Sequence, residues 1–179
     1  METTREAGDD VRTQKQQAHQ VLEHPETAAP ALRVSSQWLR IWAYPALRGN
    51  PRVWLLWNAG RRQDDTFPRV RRVVWAREPG EATAAPRLLV TDADVPHEAW
   101  QQLLMEAEGL HMPALHFGKP RIGTDGVSYG VELRNFARHM RFEWWWKPPE
   151  GWEELADWVA RATRLFETSL EATNPGGGP

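Results

Sequence analysis

The sequence predicts an α+β fold: a mainly antiparallel, twisted sheet of five to seven strands with two main helices, at about 95–109 and 150–170, packed on it. Three observations lead there. Apolar residues alternate with period two in successive segments between Trp38 and Trp146. Two later segments instead space them at helical intervals. A chain of 179 residues that includes 11 tryptophans can also fill one core of its own.

Residues 1–30 are polar, mix glutamine with charge, and end in HPETAAPA. Too little apolar area is available there to repay ordering, which predicts a flexible arm outside a single domain spanning 31–172. Val11, Ala18, Val21 and Leu22 fall near helical spacing, so a short helix at about 11–23 is compatible with the arm. The last residues, 173–179, contain NPGGGP and read as a frayed tail.

In the first strand Trp38, Arg40, Trp42 and Tyr44 point one way, and Leu39, Ile41 and Ala43 the other. Both faces carry apolar groups, as an interior strand covered on both sides requires. After the Gly49-Asn50-Pro51 turn, Val53, Leu55 and Trp57 alternate with Trp54 and Leu56 in a second two-faced strand. A third runs from about Val70 to Arg77, with Arg71, Val73, Trp75 and Arg77 on one side. Residues 78–86 form a loop, and RLLVT at 87–91 a short fourth strand.

Asp94 is placed to cap the next helix, Pro96 to sit in its first turn and Gly109 to end it. Its buried face is Trp100, Leu103, Leu104 and Ala107. The connector at 114–123 has room for one more short strand. A hairpin follows, with Val127, Tyr129, Val131 and Leu133 facing the core, a turn at Asn135-Phe136-Ala137, and Met140, Phe142, Trp144 and Trp146 returning on the same side. Trp152, Leu155, Val159, Ala162, Leu165 and Phe166 make the stripe of the last helix, so Trp144, Trp146 and Trp152 are expected in the core. Trp145 has the opposite parity and either covers a second layer or stands exposed.

Composition limits the chemistry. The absence of cysteine removes disulfides, thiolate metal sites and cysteine nucleophiles, and fits a reducing cytoplasm. The start lacks a signal or transit pattern, and no apolar run approaches the ~20 residues of a membrane span, so a cytoplasmic protein without membrane attachment is expected. The net charge of -2 conceals a basic stretch: residues 31–90 carry eleven arginines against four acids.

Motifs for catalysis are sparse. Asp125 and Ser128 offer a carboxylate and a hydroxyl, but no nucleophile elbow surrounds the serine, and Asp125-Gly126 reads as a turn. Asp92, Asp94, His97, His111 and His116 match no metal-ligand spacing, and the GKP of residues 118–120 lacks a phosphate-binding loop. No cofactor and no metal are expected.

The run D-G-x-S-Y-x-V-E-L, then R-F-x-W-W, then P-P-x-G-W-x-x-L, from Asp125 to Leu155, resembles a hairpin-plus-helix tail of small uncharacterised bacterial proteins. The compact, cysteine-free, tryptophan-rich composition also resembles bacterial immunity or accessory proteins, which implies work by binding a partner. The expected function is therefore a non-catalytic bacterial protein-binding module, with another protein as partner. Its expected contact residues are exposed arginine and tryptophan: Arg40, Trp42, Arg71, Trp75, Arg77 and Trp145. Two alternatives stand beside it. An uncovered Arg/Trp sheet face would suit single-stranded nucleic acid, and Asp125 with Ser128 would be the centre of a hydrolase-like enzyme.

Overall fold

Strands that are apolar on both faces need cover on both sides, and the chain supplies it with helices from its two ends. The computed structural model describes residues 2–34, 38–46, 49–60, 67–76, 87–111, 125–135 and 137–173, with side chains from residue 13 onward. Strands β1 (Trp38–Pro45), β2 (Arg52–Ala59), β3 (Phe67–Ala76), β4 (Arg87–Asp94), β5 (Val127–Arg134) and β6 (His139–Trp145) form one antiparallel sheet in the order β4-β3-β2-β1-β5-β6. Helices α1 (Glu2–Glu23), α2 (His97–Glu108) and α3 (Glu153–Thr173) complete an α+β fold. β1 to β4 follow one another as a meander, but the β5–β6 hairpin adds beside β1, which makes β1 central.

One face packs on α2 and α3. Leu39, Ile41, Trp54, Leu56, Val70, Ala93, Val131 and Trp144 meet Trp100 and Leu103 of α2 and Leu155, Trp158, Val159, Ala162, Phe166 and Leu170 of α3. Burial of each large apolar side chain contributes about 1.5–3 kcal/mol. Two indole N–H groups in this layer are hydrogen-bonded: Trp158 donates to the Leu103 carbonyl at 2.8 Å, and Trp54 to Glu167 at 2.9 Å. The other Glu167 oxygen accepts from Arg72.

On the opposite face, residues 18–28 of the segment expected outside the fold pack against the sheet. Ala18, Leu22 and Ala28 are buried against Trp42, Val53, Val73 and Trp75, and Pro25 in the following 3-10 turn is buried too. Few apolar residues suffice because the contact is largely polar. A helix C-terminus leaves carbonyls without intrahelical partners, and the sheet provides donors for them. Tyr44 donates its hydroxyl to the Leu22 carbonyl at 3.1 Å, and Arg40 donates to that of Glu23. Arg71 donates to the carbonyl of Ala28 at 2.8 Å and reaches that of Pro25 at 3.5 Å. Cations at this end also face the negative pole of the helix dipole.

Three local expectations change. Asp94 does not cap α2: β4 runs through it, its carboxylate lies 2.8 Å from Arg69 Nε, and Pro96 takes the cap position without a side-chain bond. Trp146 is 61 % exposed rather than in the core, because its backbone adopts φ 58° and ends β6 one residue earlier, breaking the parity. Trp152 precedes α3 instead of lying on it, yet still packs edge-on against Phe142, 5.5 Å between ring centroids. The strand expected within 114–123, the loop at 78–86 and residues 174–179 of the expected tail lie outside the described residues. Among the described residues, no helix is long and apolar enough to cross a membrane.

Arg71 has 0 % exposure, so its charge depends wholly on the carboxylate and carbonyls around it. Its Nε and Nη2 reach the two Asp92 oxygens at 2.7 and 2.8 Å, a bidentate pair. Arg71→Met is expected to cost about 3–5 kcal/mol by stranding Asp92, and Arg71→Met with Asp92→Leu to recover part of that loss. Urea unfolding of both variants measures the difference.

Candidate functional site

The strand register arranges the α1-facing side of the sheet in four rows. The first runs Asp94, Arg69, Trp57, Trp38, Arg134, His139, and the second Asp92, Arg71, Leu55, Arg40, Glu132, Arg141. The third is Val90, Val73, Val53, Trp42, Gly130, Glu143. The fourth joins Leu88 to Trp75 and Tyr44 to Ser128 and Trp145. The first two rows are mostly charged, the last two mostly apolar.

A cleft of about 660 Å³ lies over the charged rows. Trp38, Arg40, Leu55, Glu132 and Arg134 line it from the strands, while Glu23, His24, Glu26 and Val34 form the opposing wall. The size suits a peptide side chain cluster or a small ligand.

Arg40 is the hub. It donates to the Glu23 carbonyl and to Glu132 Oε2, and its guanidinium carbon lies 5.9 and 5.5 Å from the ring centroids of Trp38 and Trp42. Those distances allow cation–π attraction on both sides. Glu132 Oε1 in turn meets His139 Nε2 at 2.6 Å. Burial pushes the Glu132 carboxyl up, but the His139 hydrogen bond and the Arg40 charge and hydrogen bond outweigh it, and its pKa ends below its ordinary value. Arg141 covers the outer side of Trp42 at 4.8 Å. Trp42 lies flat across β5 because residue 130 is glycine: a Cβ there would fall 1.9 Å from its Cζ2.

The expected contact residues separate accordingly. Arg40 lines the cleft, but Arg71, Trp42 and Trp75 are buried, a correction to their expected exposure. The cause is the end of α1 and the turn after it, which cover that part of the face; His19 packs edge-on to Trp75 at 4.9 Å. Trp145 is half-buried over Gly126 in the fourth row, at the other end of β6 from His139, so it does not join the cleft. Arg77 lies outside the described residues.

The other candidates are dispersed. Asp125 is exposed at a bend before β5. Ser128 donates to Glu143 at 2.8 Å across the hairpin. Asp92 and Asp94 pair with Arg71 and Arg69, His111 Nδ1 lies 3.0 Å from the Gly109 carbonyl, and His116 lies outside the described residues. Among the described residues, no group of three or more His, Asp or Glu gathers as a metal site would require. Glu132, Arg134 and His139 were not singled out from sequence. The only available signal was that Glu132 is an acid in a strand whose neighbours are apolar, and the parity of β5 assigns it to solvent.

No family model and no curated protein matches the chain.

Two titrations follow from the site. A carboxyl with a pKa lowered on folding contributes stability above its unfolded value and loses that contribution as pH falls through the folded one. Glu132→Gln is therefore expected to lower stability at neutral pH and to flatten the acid-side loss below the ordinary value of 4.5, read from urea midpoints across that range. Tyr44 has the opposite sign: burial first, with Glu23 and Glu143 nearby, raises its pKa from 10.0 to about 12 against the pull of Arg40 and Arg141. Its contribution is complete below pH 10.0 and is lost as pH rises toward about 12. Tyr44→Phe is expected to remove a phenolate absorbance step near that upper value and to make the alkaline loss of stability shallower.

Proposed function

We propose that the protein is a non-catalytic binding module whose partner is another protein, engaged through the cleft and the adjoining β5–β6 rim. The observation that carries this reading is the contrast between floor and rim. In the floor, Arg40, Glu132 and His139 are committed to one another and to the end of α1, which fixes shape. At the rim, Arg134 is exposed across from the half-buried Trp38, and Arg138 is exposed in the adjoining turn. An aromatic ring next to arginine is the composition of interface anchors. Catalysis by Asp125 and Ser128 loses support because Ser128 donates to Glu143 and Asp125 stands exposed at a bend, and a nucleic-acid face loses support from the burial of Trp42 and Trp75.

The contact surface thus shifts from Arg71, Trp42 and Trp75 to Arg40 and the hairpin. We assign the protein a cytoplasmic role as a bacterial immunity or accessory factor, in keeping with its cysteine-free, tryptophan-rich chain. A photo-cross-linking residue placed at Arg134 is expected to capture a protein in native-host lysate, in a nuclease-resistant product, while the same residue at Arg164 on α3 captures none. Equal cross-linking at the two positions, or loss of the product on nuclease treatment, would remove this role from the cleft.

A further inference from the structure

We infer that the partner presents an extended acidic segment to the exposed end of the β5–β6 hairpin, an inference that rests on the binding role just proposed and names its chemistry. Arg134 and His139 lie directly opposite each other across the hairpin, and Arg138 precedes His139 in the turn. The acids of the same strands are already engaged: Glu132 by Arg40 and His139, Glu143 by Ser128 and Arg141. Arg134 and Arg138 have no ion-pair partner among the described residues. His139 is held by Glu132, so the charges left without a partner in the hairpin, among the described residues, are those of Arg134 and Arg138. An incoming carboxylate compensates them, and Arg offers it a forked, bidentate contact.

The opposite wall of the cleft selects the kind of anion. Glu23 and Glu26 line it, so a polymer with a charge on every unit brings some of that charge against them. A peptide can place acids toward Arg134 and Arg138 and turn uncharged side chains toward the acidic wall. In an extended segment, acids two residues apart are about 6–7 Å apart on one side, a spacing suited to neighbouring basic groups. Nucleic acid also finds few stacking rings here, because Trp42 and Trp75 are buried and Trp38 is half-buried.

Fluorescence anisotropy on the full chain tests this with three labelled probes: a peptide of alternating Glu and Ser, its Gln counterpart, and oligothymidine of equal length. The Glu peptide is expected to bind about tenfold or more tighter than the other two, weakening with salt. Arg134→Glu with Arg138→Glu is expected to abolish the preference while circular dichroism stays unchanged, and Arg164→Glu to leave it intact. No binding of the Glu peptide, equal binding of the Gln peptide, tighter binding of oligothymidine, or a preference that survives the double variant would each overturn the inference. Sequencing the segment cross-linked from position 134 separates the two levels. A segment without acids overturns the acidic partner and leaves the binding role standing, whereas absence of any cross-link removes the binding role itself.

Discussion

A guanidinium with no exposure in the middle of a sheet face constrains everything built on that face. A guanidinium buried as Arg71 is needs full pairing, since an isolated buried ion is far too costly. Asp92, directly opposite on β4, satisfies one edge with two hydrogen bonds. The rest must come from outside the sheet, and the carbonyls of Pro25 and Ala28 supply it. The turn after α1 is thereby drawn down onto β3. α1, which enters that turn, is set over Trp42 and Trp75, and Glu23, His24 and Glu26 become a wall facing β1 and β5.

The four rows then divide one sheet face between two tasks. Where Val53, Val73, Trp42 and Trp75 stand, α1 closes a small second core. Where charge predominates, the helix end meets the sheet through carbonyls and a gap remains, the cleft. Trp42 joins the two halves: it belongs to the second core, yet its ring lies beneath both Arg40 and Arg141. Gly130 makes that position possible, because any side chain on β5 there would occupy the space of the indole.

Much of the fold was legible in the sequence because period-two and helical patterns report local geometry. The two-faced character of residues 38–44 and 53–57 correctly demanded cover on both sides, and the stripes of α2 and α3 identified one cover. The second cover was missed because Ala18 and Leu22 alone make a weak stripe, and what holds α1 is hydrogen bonding from Tyr44, Arg40 and Arg71 to backbone carbonyls, which carry no side-chain signature. For the same reason the Arg/Trp alternation read as an exposed platform. The cleft was illegible for a topological reason. Arg40 and Glu132 are paired because β5 lies beside β1, and nothing local to residue 40 or residue 132 announces that neighbour. Trp146 shows the limit from the other side: its parity was right until a single backbone reversal removed it from the strand.

The backbone acceptors at the end of α1 separate what places the cleft wall from what sets its charge. Because Tyr44, Arg40 and Arg71 bind carbonyls of residues 22–28, the position of the wall does not depend on the carboxylates of Glu23 and Glu26. Those side chains are left to set the charge of the cleft. On the other side, Glu132 and His139 lock Arg40, while Arg134 next to them remains unpaired among the described residues. The shape and the charge of the cleft therefore reside in different groups. Substitution at Glu23, Glu26 or Arg134 is expected to change the charge of the cleft without moving its walls, whereas substitution at Arg40, Tyr44 or Arg71 is expected to move the walls themselves. For the proposed binding role, this division of labour would let specificity change without cost to the framework.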